Sequence, residues 1–236
     1  MCGRYLIDID DNELYEIIAE AEMNAGMNAG TSAGSLTGMA AAEGAGVQSG
    51  ALEELRTGMR GSGARRPEPG GLAASGSVGR VFSGGEIFPG SAAPVITPDN
   101  SARFMLWGYP SAVSGRRPHI NARSETAATA RTFSAAMASR RCLVPASGYY
   151  EWKTLGQKKK VKYEFTLPGR VPIYMAGIYS ADERFAILTR DAAPGLTEIH
   201  DRMPVILPKE RADVWLNGSQ DVFAHALTSL LFSPAL

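Results

Sequence analysis

The first clear pattern along the chain is helical and lies near its start. Apolar residues recur at the three- and four-residue spacing of one helix face: Leu14, Ile17, Ile18 and Ala21. Asp10 precedes this stripe and Glu13 follows it by three residues, an arrangement typical of a helix cap. The pattern predicts an amphipathic helix over residues 10–22.

From residue 81 onward, short β-branched or aromatic runs alternate with Gly, Pro or charged turns. These runs predict strands over residues 93–96, 103–108, 142–144, 149–152, 162–167, 173–179 and 184–189. Helices are expected over residues 124–139, with Ser124 as cap, and over 209–216 and 221–230. We therefore expect an α+β fold that is compact, mainly antiparallel and β-rich, with a barrel-like sheet and flanking helices.

The segment from about residue 24 to residue 80 has a different composition. It contains 14 of the 26 glycines and no aromatic residue. Such a segment has too little apolar bulk to offset the entropy lost on ordering it. We expect a flexible Gly/Ala/Ser-rich insertion that interrupts a single domain spanning residues 2–236.

The global composition excludes several classes of protein. Hydrophobic residues make up 44% of the chain, enough to bury a full core. Lys and Arg together number 24, as do Asp and Glu, so any affinity for nucleic acid must come from a local patch. Two cysteines make no disulfide framework, and the chain shows no signal peptide or membrane-spanning run. The expected localisation is cytoplasmic.

The opening residues, Met-Cys-Gly-Arg-Tyr, carry the most informative chemistry. Removal of the initiator Met would leave Cys2 with a free α-amine beside its thiol, two groups that titrate near pH ~8 and ~8.5. Such a 1,2-aminothiol can trap an aldehyde as an imine and then close through sulfur to a thiazolidine. The alternative is that Cys2 is a small buried residue near a chain end.

Three further segments contain candidate site residues. Asn121 and Arg123 lie where a strand end meets a helix start, a place where a phosphate can bind. Glu151 lies between aromatic residues in a predicted hairpin, where desolvation would raise its pKa and suit it to proton transfer. His200 precedes an apolar strand. Each of these residues also has a structural interpretation. Arg123 could form an ion pair, Glu151 could pair with a lysine at the surface, and His200 could be a structural histidine.

Taken in order, four motifs resemble the SRAP (SOS response-associated peptidase) family, proteins that shield abasic sites in single-stranded DNA. The motifs are Met-Cys-Gly-Arg-Tyr, Asn-Ala-Arg-Ser-Glu-Thr, Arg-Arg-Cys-Leu-Val-Pro-Ala-x-Gly-Tyr-Tyr-Glu-Trp and Ile-His-Asp-Arg-Met-Pro-Val-Ile-Leu. The resemblance covers residues 2–22 and about 81–217. It implies a groove for single-stranded DNA and a covalent bond between Cys2 and the abasic sugar.

The resemblance also implies a role for each matching residue. Cys2 is the nucleophile, Asn121 positions it, Glu151 is the active-site carboxylate and His200 helps to open the sugar ring. The remaining matches are expected DNA contacts, with phosphates for the arginines and bases for the tryptophans: Arg4, Arg123, Trp107 and Trp152. Lysines clustered around one hairpin could follow the backbone phosphates, or simply form a solvated turn.

The function expected from these residues is a sensor and shield of abasic sites in single-stranded DNA, acting as a monomer and joining the nucleoid when bound to damage. Lyase-type activity and self-removal of Met1 are further expectations. Two alternatives remain: an N-terminal-cysteine peptidase, in which the amine acts as base, and a noncovalent single-stranded DNA-binding module. We expect no cofactor and no metal site, and a buried structural role for Cys142.

Overall fold

The computed structural model describes residues 3–31, 82–113, 115–156 and 159–235. The described residues form these strands: β1 (Arg4–Ile7), β2 (Gly85–Ile87), β3 (Ala92–Ile96), β4 (Ala102–Trp107), β5 (Asn121–Arg123), β6 (Arg141–Ala146), β7 (Gly148–Leu155), β8 (Lys159–Thr166), β9 (Ile173–Tyr179), β10 (Arg184–Asp191), β11 (Arg202–Pro204), β12 (Ile206–Leu207) and β13 (Leu231–Pro234). The α-helices are α1 (Asn12–Thr31), α2 (Ser124–Ala127), α3 (Ser134–Ser139) and α4 (Ala212–Leu216).

Five strands close into a barrel. Their order is β10-β4-β3-β6-β9, and β9 pairs again with β10 to complete the ring. The β4–β10 pair is parallel and the other pairs are antiparallel. Closure satisfies the backbone hydrogen bonds that an open sheet would expose at its edges. The predicted β-rich, mainly antiparallel, barrel-like fold is confirmed.

A second sheet carries much of the candidate site. Its strand order is β13-β8-β7-β1-β2, and it is joined to the barrel because β6 continues almost directly into β7. At this junction the Ser147 N–H donates to the Leu6 carbonyl at 2.7 Å. The register pairs Arg4 with Tyr150 and Glu151 with Tyr163. Two short segments distant in sequence, the chain start and the middle of β7, therefore lie side by side.

Two apolar clusters make up the core. The first combines residues of both sheets with α1, including Tyr5, Tyr149, Phe165, Leu14 and Trp107. The second joins the barrel to α2, α3 and α4 through residues such as Ala127, Met137, Leu188 and Trp215. Cys142 is fully buried, as predicted, and burial raises the pKa of its thiol.

Helix α1 differs from its prediction at both ends. Its cap is Asp11 rather than Asp10, because Asp11 Oδ1 accepts hydrogen bonds from the N–H groups of Glu13 and Leu14 at 2.9 and 3.1 Å. The helix continues to Thr31, past the predicted helix end at residue 22 and into the first residues of the predicted insertion. Just beyond residue 22, a tertiary contact holds the helix against the barrel, since Asn24 Nδ2 donates to the Ala102 carbonyl on β4 at 2.8 Å. The predicted apolar stripe is confirmed by the burial of Leu14, Ile18 and Ala21.

Two other helix predictions were partly wrong. Residues 124–139 form α2 and α3 with turns between them, and Ser124 is the first helical residue rather than the cap. Residues 221–230 form only a 3₁₀ turn, Asp221–His225, before the chain extends into β13. Residues 209–216 are helical as predicted, as a 3₁₀ turn followed by α4.

Residues 32–81, which contain most of the predicted insertion, lie outside the described residues. The chain resumes beside α1, because the Phe82 N–H donates to Glu22 Oε1. A linker from Thr31 to Phe82 therefore has to span only the length of α1 between Thr31 and Glu22. This distance is roughly 14 Å, at a rise of about 1.5 Å per residue.

We expect that replacing residues 33–80 with about ten Gly and Ser residues preserves folding, since such a linker spans roughly 17 Å. A shorter loop also loses less entropy when its ends are brought together, which lowers the free-energy cost of closing it by about 1 kcal/mol. The melting temperature of the shortened protein should therefore equal or slightly exceed that of the full chain. A drop of many degrees in a thermal scan would mean that the removed residues contribute to the core.

Among the described residues, no helix is both long enough and apolar enough to cross a bilayer.

Candidate active site

A cleft of about 540 Å³ opens where β1 begins, beside the middle of β7. It is lined by residues from β7, β8, the chain start and the loop before β11: Gly3, Arg4, Glu151, Trp152, Thr154, Lys160 and His200. The cleft therefore brings together four of the predicted site residues, Arg4, Glu151, Trp152 and His200.

Glu151 is the buried carboxylate of the cleft. Strand alternation points it to the same side of the sheet as the core residue Tyr149, and only 3% of its surface is exposed. Burial raises the pKa of Glu151 from an ordinary 4.5 to about 7. The pKa shift expected from the sequence is confirmed, and the alternative of a surface Glu–Lys pair is excluded.

His200 faces Glu151 across the cleft, with 3.9 Å between His200 Nε2 and Glu151 Oε2. On the other side of the ring, Nδ1 accepts a hydrogen bond from the Arg202 backbone N–H at 3.0 Å, and Asp201 Oδ1 lies 2.8 Å from the same nitrogen. The first contact requires an unprotonated Nδ1 and the second a protonated one. Burial lowers the pKa of His200, against the opposing effect of Asp201. Burial therefore favours the neutral imidazole, whose Nε2 faces Glu151.

The loop that carries His200 is anchored at several points. Leu196 and Ile199 are buried, and the Ala192 N–H donates to the Asp201 carbonyl at 2.9 Å, which closes the base of the loop. Lys153 on β7 lies 3.7 Å from Glu198. These contacts fix the position of the imidazole relative to β7.

An ion pair between a buried arginine and an exposed glutamate links two of the four sequence motifs. Arg202, 8% exposed, donates in bidentate fashion to Glu125 Oε1 and Oε2, both at 2.8 Å. The same guanidinium donates to Asp191 Oδ1 at 2.5 Å and to the Thr189 carbonyl at 2.7 Å. Glu125 lies on α2, directly after β5, so the pair connects the segment that carries Asn121 to the segment that carries His200.

Asn121 and Arg123 lie on β5 rather than in the lining of the cleft. They pair in parallel with Ile187 and Thr189 on β10, whereas β11, which follows His200, pairs with the last residues of β10. Asn121 is half-buried and Arg123 is exposed. Arg123 can therefore contact a ligand at the surface without rearrangement.

Cys2, the predicted nucleophile, lies outside the described residues. Its neighbour in the sequence, Gly3, lines the cleft that contains Glu151 and His200.

Comparison with known proteins identifies the family. The family model described as SOS response associated peptidase (SRAP) matches residues 75–235, more than half of the chain. The chain belongs to the SRAP family. This SRAP chain is 40% identical over 119 residues to the abasic site processing protein YedK of Escherichia coli, an alignment covering 48% of the chain and 53% of YedK. It is 33% identical over 141 residues to the abasic site processing protein YobE of Bacillus subtilis, covering 50% of the chain and 64% of YobE. The alignments thus span between half and two thirds of these SRAP relatives.

Solved structures resemble the SRAP chain in fold. A phage-related protein of Bordetella bronchiseptica superposes with a TM-score of 0.56 and 28% identity, covering 66% of this chain and 84% of that protein. A protein of Bacteroides thetaiotaomicron gives a TM-score of 0.52 and 26% identity, covering 60% of this chain and 71% of that protein. These matches agree with the β-rich architecture described above.

The two tryptophans expected to contact DNA lie in different environments. Trp107 of this SRAP chain is fully buried, stacked on Phe185 with ring centroids 6.3 Å apart, and its Nε1 donates to the Ile120 carbonyl at 2.9 Å. Because Trp107 has no exposed face on which a base could stack, its expected role as a DNA contact was wrong. Trp107 is a core residue. Trp152 lines the cleft and is partly exposed.

Arg4 lies beside Trp152 and, like it, lines the cleft. Its guanidinium carbon is 4.6 Å from the ring centroid of Phe88 and 5.0 Å from that of Trp152, and its NH1 lies 3.4 Å from Glu86 Oε2. No pattern in the sequence indicated Phe88, Glu86 or the Arg202–Glu125 pair as part of the site. Glu125 and Arg202 do lie within two of the four sequence motifs. They are far apart in the sequence, however, and only the fold reveals that they pair.

Within the described ranges, no group of three or more His, Cys, Asp or Glu side chains is arranged to hold a metal ion.

The raised pKa of Glu151 has a consequence for stability. Because the folded state keeps a proton that the unfolded chain releases near pH 4.5, stability falls as the pH rises from about 4.5 through about 7. Glu151→Gln removes this penalty. We expect the melting temperature of the variant, relative to that of the wild type, to increase between pH 5 and pH 8 in thermal scans without DNA. A difference that stays constant across this pH range would contradict the shifted pKa of Glu151.

Proposed function

We propose that this SRAP protein recognises abasic sites in single-stranded DNA and attaches to them covalently through Cys2, after removal of Met1. The observation that carries the proposal is the buried Glu151 carboxyl facing His200 in a cleft that Gly3, the neighbour of Cys2, also lines. The names of the curated relatives support the substrate, since they are abasic site processing proteins.

The proposed reaction joins an aminothiol to an aldehyde. The abasic deoxyribose opens from its cyclic hemiacetal to the aldehyde when a proton is delivered to the ring oxygen and the hydroxyl proton on C1′ is removed. The Cys2 amine adds to C1′, the resulting carbinolamine loses water, and an iminium forms. The Cys2 thiolate then adds to the same carbon. One C–N and one C–S bond form, one water leaves, and neither partner is oxidised or reduced.

The Glu151–His200 pair suits the proton transfers of this sequence. The pKa of Glu151 is raised to about 7 and that of His200 is lowered, so near neutral pH Glu151 can hold a proton while His200 remains available as a base. A protonated group can deliver that proton to the ring oxygen or to the departing hydroxyl. A carboxylate can accept a proton from the Cys2 ammonium, which frees the neutral amine for attack. Acid–base assistance of this kind is worth about 10²- to 10⁴-fold in rate.

The other residues complete the proposal as binding groups. Asn121 hydrogen-bonds the amine or the sugar, because an amide can donate and accept at any pH. Arg123 is exposed and contacts a backbone phosphate, while Arg4 and Trp152 border the cleft on the DNA-facing side. The protein acts as a monomer in the cytoplasm and joins the nucleoid through damaged DNA.

A denaturing gel tests the proposal. The protein is incubated with a single-stranded oligonucleotide that carries one abasic site, then heated in detergent. We expect a shifted band with this strand, and none with an undamaged strand or with a tetrahydrofuran analogue that lacks the aldehyde. A shift with the analogue, or complex formation that salt and detergent fully reverse, would overturn the covalent mechanism.

A further inference from the structure

Phe88 is an aromatic residue exposed at the edge of the candidate site. Of its surface, 43% is exposed. It lies at the first position of a tight turn in which the Ser91 N–H donates to the Phe88 carbonyl at 3.0 Å, with Pro89 second and Gly90 third at φ +89°. Proline followed by a residue with positive φ defines a type II turn, which requires glycine at the third position.

This turn is fixed to the core. The Gly90 N–H donates to the Trp107 carbonyl at 2.8 Å, and the Trp107 N–H donates to the Ser91 carbonyl at 2.9 Å. Trp107 itself is fully buried. A large apolar ring is thus exposed to solvent on a rigid backbone, so the protein loses little conformational entropy when a partner covers the ring.

Arg4 connects Phe88 to the cleft. Its guanidinium carbon lies 4.6 Å from the Phe88 centroid and 5.0 Å from the centroid of Trp152, which lines the cleft. We name these three residues, Phe88, Arg4 and Trp152, the Arg4 cluster. A guanidinium over an aromatic ring is a cation–π contact, and the two contacts place both rings around one planar cation.

The charges around the Arg4 cluster favour a polyanion. The Glu86 carboxylate is shared between Arg4 and Lys162, leaving an excess of positive charge, and Lys160 adds another cation in the cleft lining. Lys162 also lies 3.8 Å from the Tyr150 centroid. Aromatic faces interleaved with cations are the features with which proteins hold single-stranded nucleic acid, by stacking bases and following phosphates.

We infer that the Arg4 cluster is a nucleobase-binding site, in which Phe88 stacks on the base next to the abasic nucleotide held in the cleft. The inference rests on the proposed function, because that function places single-stranded DNA in the cleft. It assigns Phe88 to the DNA interface, and it makes Arg4 a support for two aromatic rings in addition to a cation near phosphate.

The test compares two DNA strands for each protein. Both carry a tetrahydrofuran analogue at the abasic position, so that no covalent bond forms. One strand has normal bases on either side of it, and the other has tetrahydrofuran residues there as well. Affinities are measured by fluorescence anisotropy for the wild type, Phe88→Ala, Phe88→Trp and Phe232→Ala. Phe232 provides a matched control because it is 39% exposed and lies on β13, at the far edge of the same sheet.

Stacking of one base on an aromatic ring predicts that Phe88→Ala binds the base-flanked strand about tenfold more weakly than the wild type. The same variant should match the wild type on the strand with base-free flanks. Phe88→Trp should retain or improve binding, and Phe232→Ala should match the wild type on both strands. Equal losses by Phe88→Ala on both strands, or no loss on either, would overturn the inference.

The outcome is separable from that of the proposed function. If the true abasic strand gives no stable adduct but Phe88→Ala binds selectively less tightly to the base-flanked strand, the nucleobase site stands without the covalent chemistry. If the adduct forms and Phe88→Ala matches the wild type on both strands, the covalent chemistry stands and the nucleobase site is rejected.

Discussion

Cys2→Ser is expected to abolish the heat-stable adduct with abasic DNA while leaving affinity for an undamaged single strand unchanged. Serine keeps the α-amine, so an imine can still form. The hydroxyl could close only to an oxygen ring, which hydrolyses more readily than the sulfur ring of a thiazolidine. Denaturing gels of the two proteins at equal DNA saturation measure the difference.

Two controls define this result. Cys142→Ala removes the other cysteine, whose thiol is buried and carries a raised pKa, and it should retain the adduct. An uncleaved extra residue before Cys2 turns the amine into an amide and should be as damaging as Cys2→Ser. A wild-type yield of stable adduct from Cys2→Ser would exclude the thiazolidine.

Glu151→Gln is expected to slow adduct formation at saturating DNA by about 10²- to 10⁴-fold, the usual contribution of a general acid or base. Glutamine preserves the shape of the side chain but cannot exchange a proton. Because burial places the pKa of Glu151 at about 7, the wild-type rate should also show a titration step near pH 7 that the variant lacks. Single-turnover crosslinking across pH 5.5 to 8.5 measures both effects.

The control for Glu151→Gln is another carboxylate of the same sheet. Glu164 on β8 pairs with Arg170, and Glu164→Gln should leave the rate unchanged. Arg123→Ala should show the reverse of Glu151→Gln: weaker affinity, a smaller salt dependence and a normal rate at saturation. If Glu151→Gln and His200→Ala lost only affinity, their proposed role in proton transfer would be wrong.

The sequence predicted most strands because their β-branched and aromatic runs are local signals. It missed β1, which is only four residues long and follows directly on the chain start. It also could not separate Trp107 from Trp152. Both lie in predicted strands that contain aromatic and apolar residues, and only the closed barrel determines that Trp107 lies in the core.

The site was predictable where a single residue carried the signal. The aromatic neighbours of Glu151 indicated its burial and its raised pKa. Pairings across long sequence separations gave no such signal: Glu125 and Arg202 meet because α2 and β11 both adjoin the end of β10. Phe88 offered no pattern at all, since its significance depends on the position of Arg4 on a different strand.

The most direct test of the central claim, that the N-terminal amine and thiol of Cys2 together capture the abasic aldehyde, is the mass of the adduct before and after tryptic digestion. We predict an intact mass equal to the protein without Met1, plus the oligonucleotide, minus one water. Digestion should leave the DNA on the peptide Cys2-Gly3-Arg4. An adduct that retains Met1, or DNA attached to a lysine peptide, would contradict the account.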